Sequence, residues 1–435
     1  MATPGSYRVG PWPKGVDNTS AEGDLPRDQY GSRPIALREA DNVDLTATGR
    51  PRRRRGYTPV VAGSMAHSLW SSPQLGFGLY ASGGGLHAMY PDRSTVDLGT
   101  YVGGLPLSYE VINGHIYYSN REACGLVTVA LDTYAWAPEQ PAGQPTLAAV
   151  DGLSLDPGTY QVAVTFTDTL GRESGTSIAA AVEVAEGQGI ELAAIPVPTG
   201  DAVVKVNIYC TGPNDSAFKL YASAPAGTRL GEIAAAPTGR VLETQFLDAM
   251  PAGHIVRHGS GRQWVAVENT VTWSEPLRYG LYNAGRNLIR LHAAVDMLEP
   301  LGDGSGAAGV YVASGANVYW FDGADPAQFT QRVVDKDGCV PGSPLRVSGR
   351  DVGLDTATDV VVVWLNRRGD LRAGLPGGTV TTLTEGVVID AADRAALLHR
   401  KQDGLEQILA ALRAPQRQAM AVSDSAYAHV IHRSA

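Results

Sequence analysis

Long apolar runs are missing from this chain. No stretch of roughly 18 or more apolar residues occurs in its 435 positions, so no membrane span is expected. Cysteine is scarce: Cys124, Cys210 and Cys339 lie far apart and form no CxxC pair. That argues against a disulfide framework and a zinc site, and for folding in a reducing cytosol. Charged residues make up only 18% and aromatics 7%, a balance that fits neither a disordered chain nor a coiled coil. The opening MATPGSYRVGPWPKG has no basic segment followed by an apolar one, so no secretory signal is read there.

Catalytic signatures are missing as well. The glycine run Gly83–Gly85 is followed by no Lys-Ser/Thr pair, as a phosphate loop requires, and it suits a hairpin turn. No GxSxG elbow is present. A glycosidase needs two carboxyls held about 5–10 Å apart, and no motif here selects a pair. The SxDxGxTW box of sialidases survives only as fragments around Asp132–Trp136 and Thr270–Glu275. Histidine pairs occur at His254/His258 and His429/His432. Such spacings hold a metal on a helix, and both pairs fall in strand or loop. The expectation is therefore no catalytic residue, no cofactor and no metal.

What the chain does contain is one repeated pattern: an apolar strand, a tight polar turn and a second apolar or aromatic strand. It occurs at Phe77–Pro91, Ser108–Asn120, Gln263–Glu275, Val310–Asp322, Val360–Gly374 and Ala419–His432, with a looser copy at Asp41–Thr58. The 51 glycines and 27 prolines supply the many turns. A hairpin repeated along a chain predicts an all-β fold, here a β-propeller of six or seven blades.

The repeat is interrupted. Residues 142–250 hold twelve acids against five bases, whereas the remainder holds 32 acids and 30 bases. The excess marks that segment as a separate unit. Within it Tyr160, Val162, Val164 and Phe166 alternate with polar neighbours, and further short strands begin near Val203, Phe218 and Leu242. This reads as a β-sandwich. The run GTYQVAVTFTDTLGRESGTS resembles fibronectin type III-like domains. The expected organisation is an extended N-terminal arm over 1–33, a first propeller part over 34–141, the inserted sandwich over 142–252 and a second propeller part over 253–435. One C-terminal helix is expected near 390–413. Asp390 would cap it, Pro415 would follow it, and Leu398, Leu405, Ile408, Leu409 and Leu412 would share a face. Gly404 weakens its centre. Such a helix packs over the disc or meets a neighbour.

The densest charge cluster is Arg52, Arg53, Arg54 and Arg55. In a strand these would alternate between two faces, which suits an exposed hairpin tip meeting acidic groups. The net charge of −9 disfavours general affinity for DNA. The four arginines are read as a subunit interface.

Gly15-Val16-Asp17-Asn18 and the stretch LREADNVDLTATGRPRRRRGYTP, then GRQWVAVENTVTWSEPLRYGLYN from Gly261, GADPAQF from Gly323 and QAMAVSDSAYAHVI from Gln418, resemble tailed-bacteriophage virion structural proteins. The likeness is greatest to the β-propeller tail nozzle proteins of short-tailed phages. It covers nearly all of the chain outside the insert. It implies a virion protein of the tail, assembled in the bacterial host cytoplasm. Copies would form a ring, a hexamer, below the portal and adaptor, with double-stranded DNA passing through without sequence-specific contacts. Two other readings stay open: a tail-tip or host-attachment protein whose insert binds the host surface, and a propeller glycosidase acting on host polysaccharide.

Overall fold

The computed structural model describes residues 11–31, 33–40, 43–46, 48–53, 58–59, 65–228, 231–302, 308–354, 360–384, 386–402, 405–415 and 427–432. They are strands, three short 3-10 turns and loops. No helix among them is long and apolar enough to cross a membrane. The chain divides into two compact units, Gly63–Ile289 and the combined segments Met1–Ala62 and Arg290–Ala435.

Alternation of apolar and polar residues about two-residue turns produces the expected hairpins. Ser82 pairs with Gly85, Ile112 with His115, Val267 with Thr270 and Ser314 with Asn317. Each hairpin forms the middle of an antiparallel meander. In the first unit, sheet 1 runs His67–Ser71, Gly78–Ser82, Gly85–Met89, Thr95–Tyr101. Sheet 2 runs Ser108–Ile112, His115–Ser119, Cys124–Val127, Thr133–Tyr134, and sheet 3 Ile255–Gly259, Arg262–Val267, Thr270–Trp273, Leu288–Arg290. In the second unit, sheet 4 runs Val295–Leu301, Gly309–Ser314, Asn317–Asp322, Thr330–Asp335. Sheet 5 runs Leu345–Ser348, Val360–Leu365, Leu371–Gly374, Val380–Thr382, and sheet 6 Arg394–Gln402, Leu405–Arg413, Tyr427–His432.

Within each unit, consecutive sheets pack face to face. Leu79, Ala81, Leu86 and Ala88 of sheet 1 meet Tyr109, Ile116, Tyr118 and Val127 of sheet 2. Ile112, Tyr117 and Leu126 on the other side of sheet 2 meet Val256 and Val265 of sheet 3. Met297, Tyr311 and Trp320 of sheet 4 meet Val362 and Trp364 of sheet 5. Val361, Val363 and Leu371 face Ile408 of sheet 6. The second strand of sheet 4 is buried along its whole length, whereas the fourth strand is largely exposed. Meanders covered on both faces at their centre and open along the last strand are propeller blades in construction. The all-β, propeller-type fold expected from the repeat is thus present.

Serines stitch the layers together. The Ser68 hydroxyl accepts from Leu107 N (2.8 Å), and Ser108 accepts from Val256 N (3.1 Å). Buried Ser119 donates to Gly253 O (2.6 Å) and accepts from Gly253 N (2.9 Å). These bonds satisfy backbone groups where one sheet hands over to the next.

The insert contains two sheets. One has Thr146–Asp151, Gln188–Ala194 and Glu232–Ile233, and the other Ala180–Val184, Gly158–Asp168, Val203–Cys210 and Lys219–Pro225. Tyr160, Val162, Val164 and Phe166 point into the shared core with Val206, Ile208, Ile190, Leu192 and Ile233. The alternation read from the sequence builds this sandwich.

The helix expected near 390–413 does not form. Arg394–Gln402 and Leu405–Arg413 are antiparallel strands paired from Arg394↔Arg413 to Gln402↔Leu405. Asp403-Gly404 stands between them in the sequence, a dipeptide favouring two-residue hairpin turns. Ile408, Ala410 and Leu412 are buried while Ala411 and Arg413 are exposed, and Leu398 is exposed too. That is a period of two, whereas the helix reading put Leu398 and Leu412 on one face. Tyr427–His432 then pairs with Leu405–Arg413. The first half of the hairpin expected at Ala419–His432 lies outside the described residues.

Gly309 begins the buried strand of sheet 4, and a Cβ there would lie 2.3 Å from Trp320 Cζ2. Gly309→Ala is expected to lower stability by about 1–3 kcal/mol through overpacking. Urea melts of the two proteins measure this, and an unchanged midpoint would refute the packing described.

Candidate functional site

The arginine cluster was the interface candidate. Pro51–Arg53 pairs with Val43–Leu45, setting Arg52 opposite Asp44 and Arg53 opposite Val43. Arg52 and Arg53 are exposed. Arg54 and Arg55 lie outside the described residues. An acid of the same chain therefore faces this cluster at Asp44.

The described part of the arm, beginning at residue 11, is ordered against its own chain. Asp17 N donates to Leu37 O (2.7 Å) and Leu37 N to Gly15 O (2.8 Å). The Asp17 carboxylate accepts from Ser20 N (2.9 Å) and the Ser20 hydroxyl (2.7 Å), which holds its pKa below the ordinary carboxylate value. The Asn18 amide donates to Val388 O (2.8 Å) and accepts from Val388 N (2.9 Å), while Asn18 N donates to Gly386 O (3.0 Å). The Gly-Val-Asp-Asn motif thus forms a turn and a docking hook.

The second motif, from Gly261 to Gly280, is bonded to itself. Arg262 donates to Ser274 O (3.0 Å), and the Ser274 hydroxyl accepts from Gln263 N (2.9 Å) and donates to Glu275 O (2.9 Å). Gln263 Oε1 accepts from Gly280 N (2.8 Å). Glu275 accepts from Arg286 (2.8 Å) and Asn287 (2.9 Å), bonds that lower its pKa against the burial that raises it. Gly280 has φ +86°, and a Cβ there would lie 2.2 Å from Trp136 O. Only glycine lets these two backbones approach.

Arg172 joins the insert to sheet 2. Its guanidinium pairs with buried Asp168 (2.6 Å) and donates to Trp136 O (2.6 Å) and Ala135 O (3.0 Å). Glu173 beside it is buried and accepts from Thr165 (2.6 Å), Tyr209 (2.8 Å) and Arg240 (2.8 Å). Every one of these contacts holds chain to chain.

A groove of about 260 Å³ opens on this side of the insert, lined by Gln140, Ile178, Leu242, Gln245, Phe246 and Asp248 among others. Leu247 N donates to Thr244 O (3.2 Å), closing a turn with Phe246 third. Phe246 has φ +62°. Glycine ordinarily takes that position, and the left-handed backbone costs another residue about 1–2 kcal/mol. Phe246 is nevertheless 74% exposed, and Ile178 is 68% exposed. Sequence reading missed this site, whose only local signal is an aromatic residue in a turn lacking glycine.

One group among the described residues has the spacing for a metal: ligand atoms of Asp351, His399 and Glu406 lie within 4.8 Å of one another. His399 Nε2 stands 2.7 Å from Glu406, and the Lys401 ammonium pairs with the other Glu406 oxygen. Lys401 already supplies the cation, so the group works as an ion-pair staple across the Arg394–Arg413 hairpin. Among the described residues, the His254/His258 pair belongs to no such group. His258 stands 3.3 Å from the Tyr279 hydroxyl, and the side chains of His429 and His432 lie outside the described residues. The thiol of half-buried Cys124 is pushed up to about 11 by burial, which disfavours the reactive thiolate.

The chain matches no protein-family model and no curated protein. Among solved structures it is similar to the computationally designed protein Ika8, at 10% identity over 81% of this chain and 94% of that one, with a TM-score of 0.29. It is also similar to BBS1N crystallised in complex with ARL6DN, at 12% identity over 82% of this chain and 93% of that one, with a TM-score of 0.33. Likeness at these scores carries no argument about this chain.

Arg172→Ala would leave buried Asp168 with two backbone donors and no counter-ion, and is expected to cost about 3 kcal/mol, the low end for a broken buried pair, read by denaturant titration. A loss below that of an ordinary surface substitution would disprove the anchoring role. Glu406 is held below the usual carboxylate range, first by the Lys401 hydrogen bond. Its contribution is present above the unfolded pKa and fades as pH falls through the folded one. Thermal melts from pH 7 down to pH 3 should therefore show a loss of stability that is smaller in Glu406→Gln.

Proposed function

We propose that this protein is a structural component of a bacteriophage tail, a ring-forming nozzle through which DNA is ejected, and not an enzyme. The observation carrying the reading is the use made of the shared motif residues. Asp17, Asn18, Arg262, Ser274, Glu275 and Gly280 turn, hook and brace the backbone. A group of proteins recognised by its bracing residues is one whose work is mechanical. Blades of this construction form a rigid wall. A ring of identical copies needs two different contact faces on each, and the Arg52–Arg55 cluster suits one of them. With a net charge of −9 per chain, the assembly repels phosphate and lets DNA slide. The portal, the adaptor and other tail proteins are the partners in this reading.

A second reading is host attachment through the insert. Exposed Ile178 and Phe246 beside the groove favour it over a purely spacing role for that domain.

Native mass spectrometry of the purified chain, with its virion position by cryo-electron microscopy, separates the two. Six copies around a central channel beside the portal are expected. A trimer at the distal tip would replace the nozzle with the attachment reading, and a monomer without a channel would overturn the nozzle.

A further inference from the structure

We propose that the groove on the insert binds a neutral saccharide, with Phe246 as its stacking platform and Gln140, Gln245 and Asp248 as its hydrogen-bonding partners. The inference rests on the attachment reading and names the chemistry of its ligand.

Two features of Phe246 oppose folding and neither helps it. Its backbone is left-handed at φ +62°, and the residue is 74% exposed. Glycine at this turn position would remove both penalties at once. Leu277, at φ +57° and 74% exposed, carries the same two features; Phe246 is set apart by lining a groove. Next to it the groove offers about 260 Å³ over a floor that includes buried Leu242 and Phe218. The groove is shallow and mostly apolar, with a few polar groups at its edge.

The polar groups narrow the ligand. Gln140 spends its amide NH on Thr176 O (2.9 Å), leaving its carbonyl as an acceptor. Gln245 and Asp248 make no side-chain hydrogen bond among the described residues, and Asp248 is exposed. Two amides and a carboxylate beside an aromatic face match a pyranose ring, which has an apolar C–H face and a rim of hydroxyl donors. An aliphatic chain would leave the amides and the carboxylate unpaired. A nucleic acid, or a sugar bearing its own carboxylate, would meet Asp248 and the acidic excess of residues 142–250, and like charges repel.

The test is saturation-transfer NMR on the full chain with maltotriose, mannotriose and galactotriose, and with trigalacturonate as the acidic probe. At least one neutral trisaccharide is expected to bind, and trigalacturonate is not. Phe246→Gly should weaken that binding at least tenfold while raising the melting temperature, because it relieves the turn. That opposite movement separates a lost contact from a damaged fold. Asp248→Asn should weaken the neutral sugar, because a charged acceptor is lost, and admit trigalacturonate. Failure of all three neutral probes, preference for the acidic one, or unchanged binding in Phe246→Gly would each overturn the proposal. If the sugar binds but phage carrying Phe246→Gly adsorb to cells normally, the site stands and host attachment falls.

Discussion

Burial of the central two strands of sheets 2 to 5 on both faces is the constraint on which the structure depends. Gly309–Ser314 and Val360–Leu365 are apolar nearly throughout, so a sheet with one open face would expose half of that surface. Each large side chain buried there contributes about 1.5–3 kcal/mol. Trp320 and Trp364 both lie against Tyr311, with ring centroids at 4.7 and 5.9 Å. The Tyr311 hydroxyl reaches Leu375 O at 2.7 Å. One residue of sheet 4 thereby fixes the approach of sheet 5 through both an apolar face and a polar tip. Within each unit, a sheet is stable because its neighbour covers it.

That dependence explains where the polar side chains are spent. At the handovers between sheets the backbone cannot continue a ladder, and an unpaired buried amide or carbonyl is costly. Ser68, Ser108 and Ser119 fill those gaps with hydroxyls that accept from backbone N–H groups, and Ser119 also donates. Asn18 does the same for the arm. The motif around Ser274 and Glu275 is one more brace of this kind, placed where the chain leaves and re-enters the meander.

The insert obeys a different rule. Its core is closed within its own two sheets, and a smaller cluster of Ala163, Tyr209, Phe218 and Leu242 is buried beside it. The insert is joined to sheet 2 by a small set of polar anchors, Arg172 foremost. The turn that carries Phe246 also seats Leu247 against Ala137 and Leu281 and leads into Asp248–Ala249, which pairs with Leu281–Tyr282. Scaffold and exposed site are thus divided between parts of one chain: bracing residues in the blades, and the exposed aromatic on the insert.

The sequence alone determined whatever depends on near neighbours. Hairpins such as Ser108–Asn120 and the inward row Tyr160, Val162, Val164, Phe166 were legible because strand, turn and alternation lie within a dozen residues. The same local view misread 390–413. Leucines at 398, 405 and 412 fit a helical face, and only the presence of sheet 5 beside Ile408 selects the two-residue period. The candidate site was less legible than the fold. Arg52–Arg55 announced themselves by charge, whereas the groove needs Gln140, Ile178 and Phe246 brought together from separate segments. Likewise Asn18 and Val388, 370 positions apart, carry no mark of each other in the sequence. Local periodicity fixes what a segment prefers to be. Which face it buries, and what it meets, is a property of the neighbours that arrive from elsewhere in the chain.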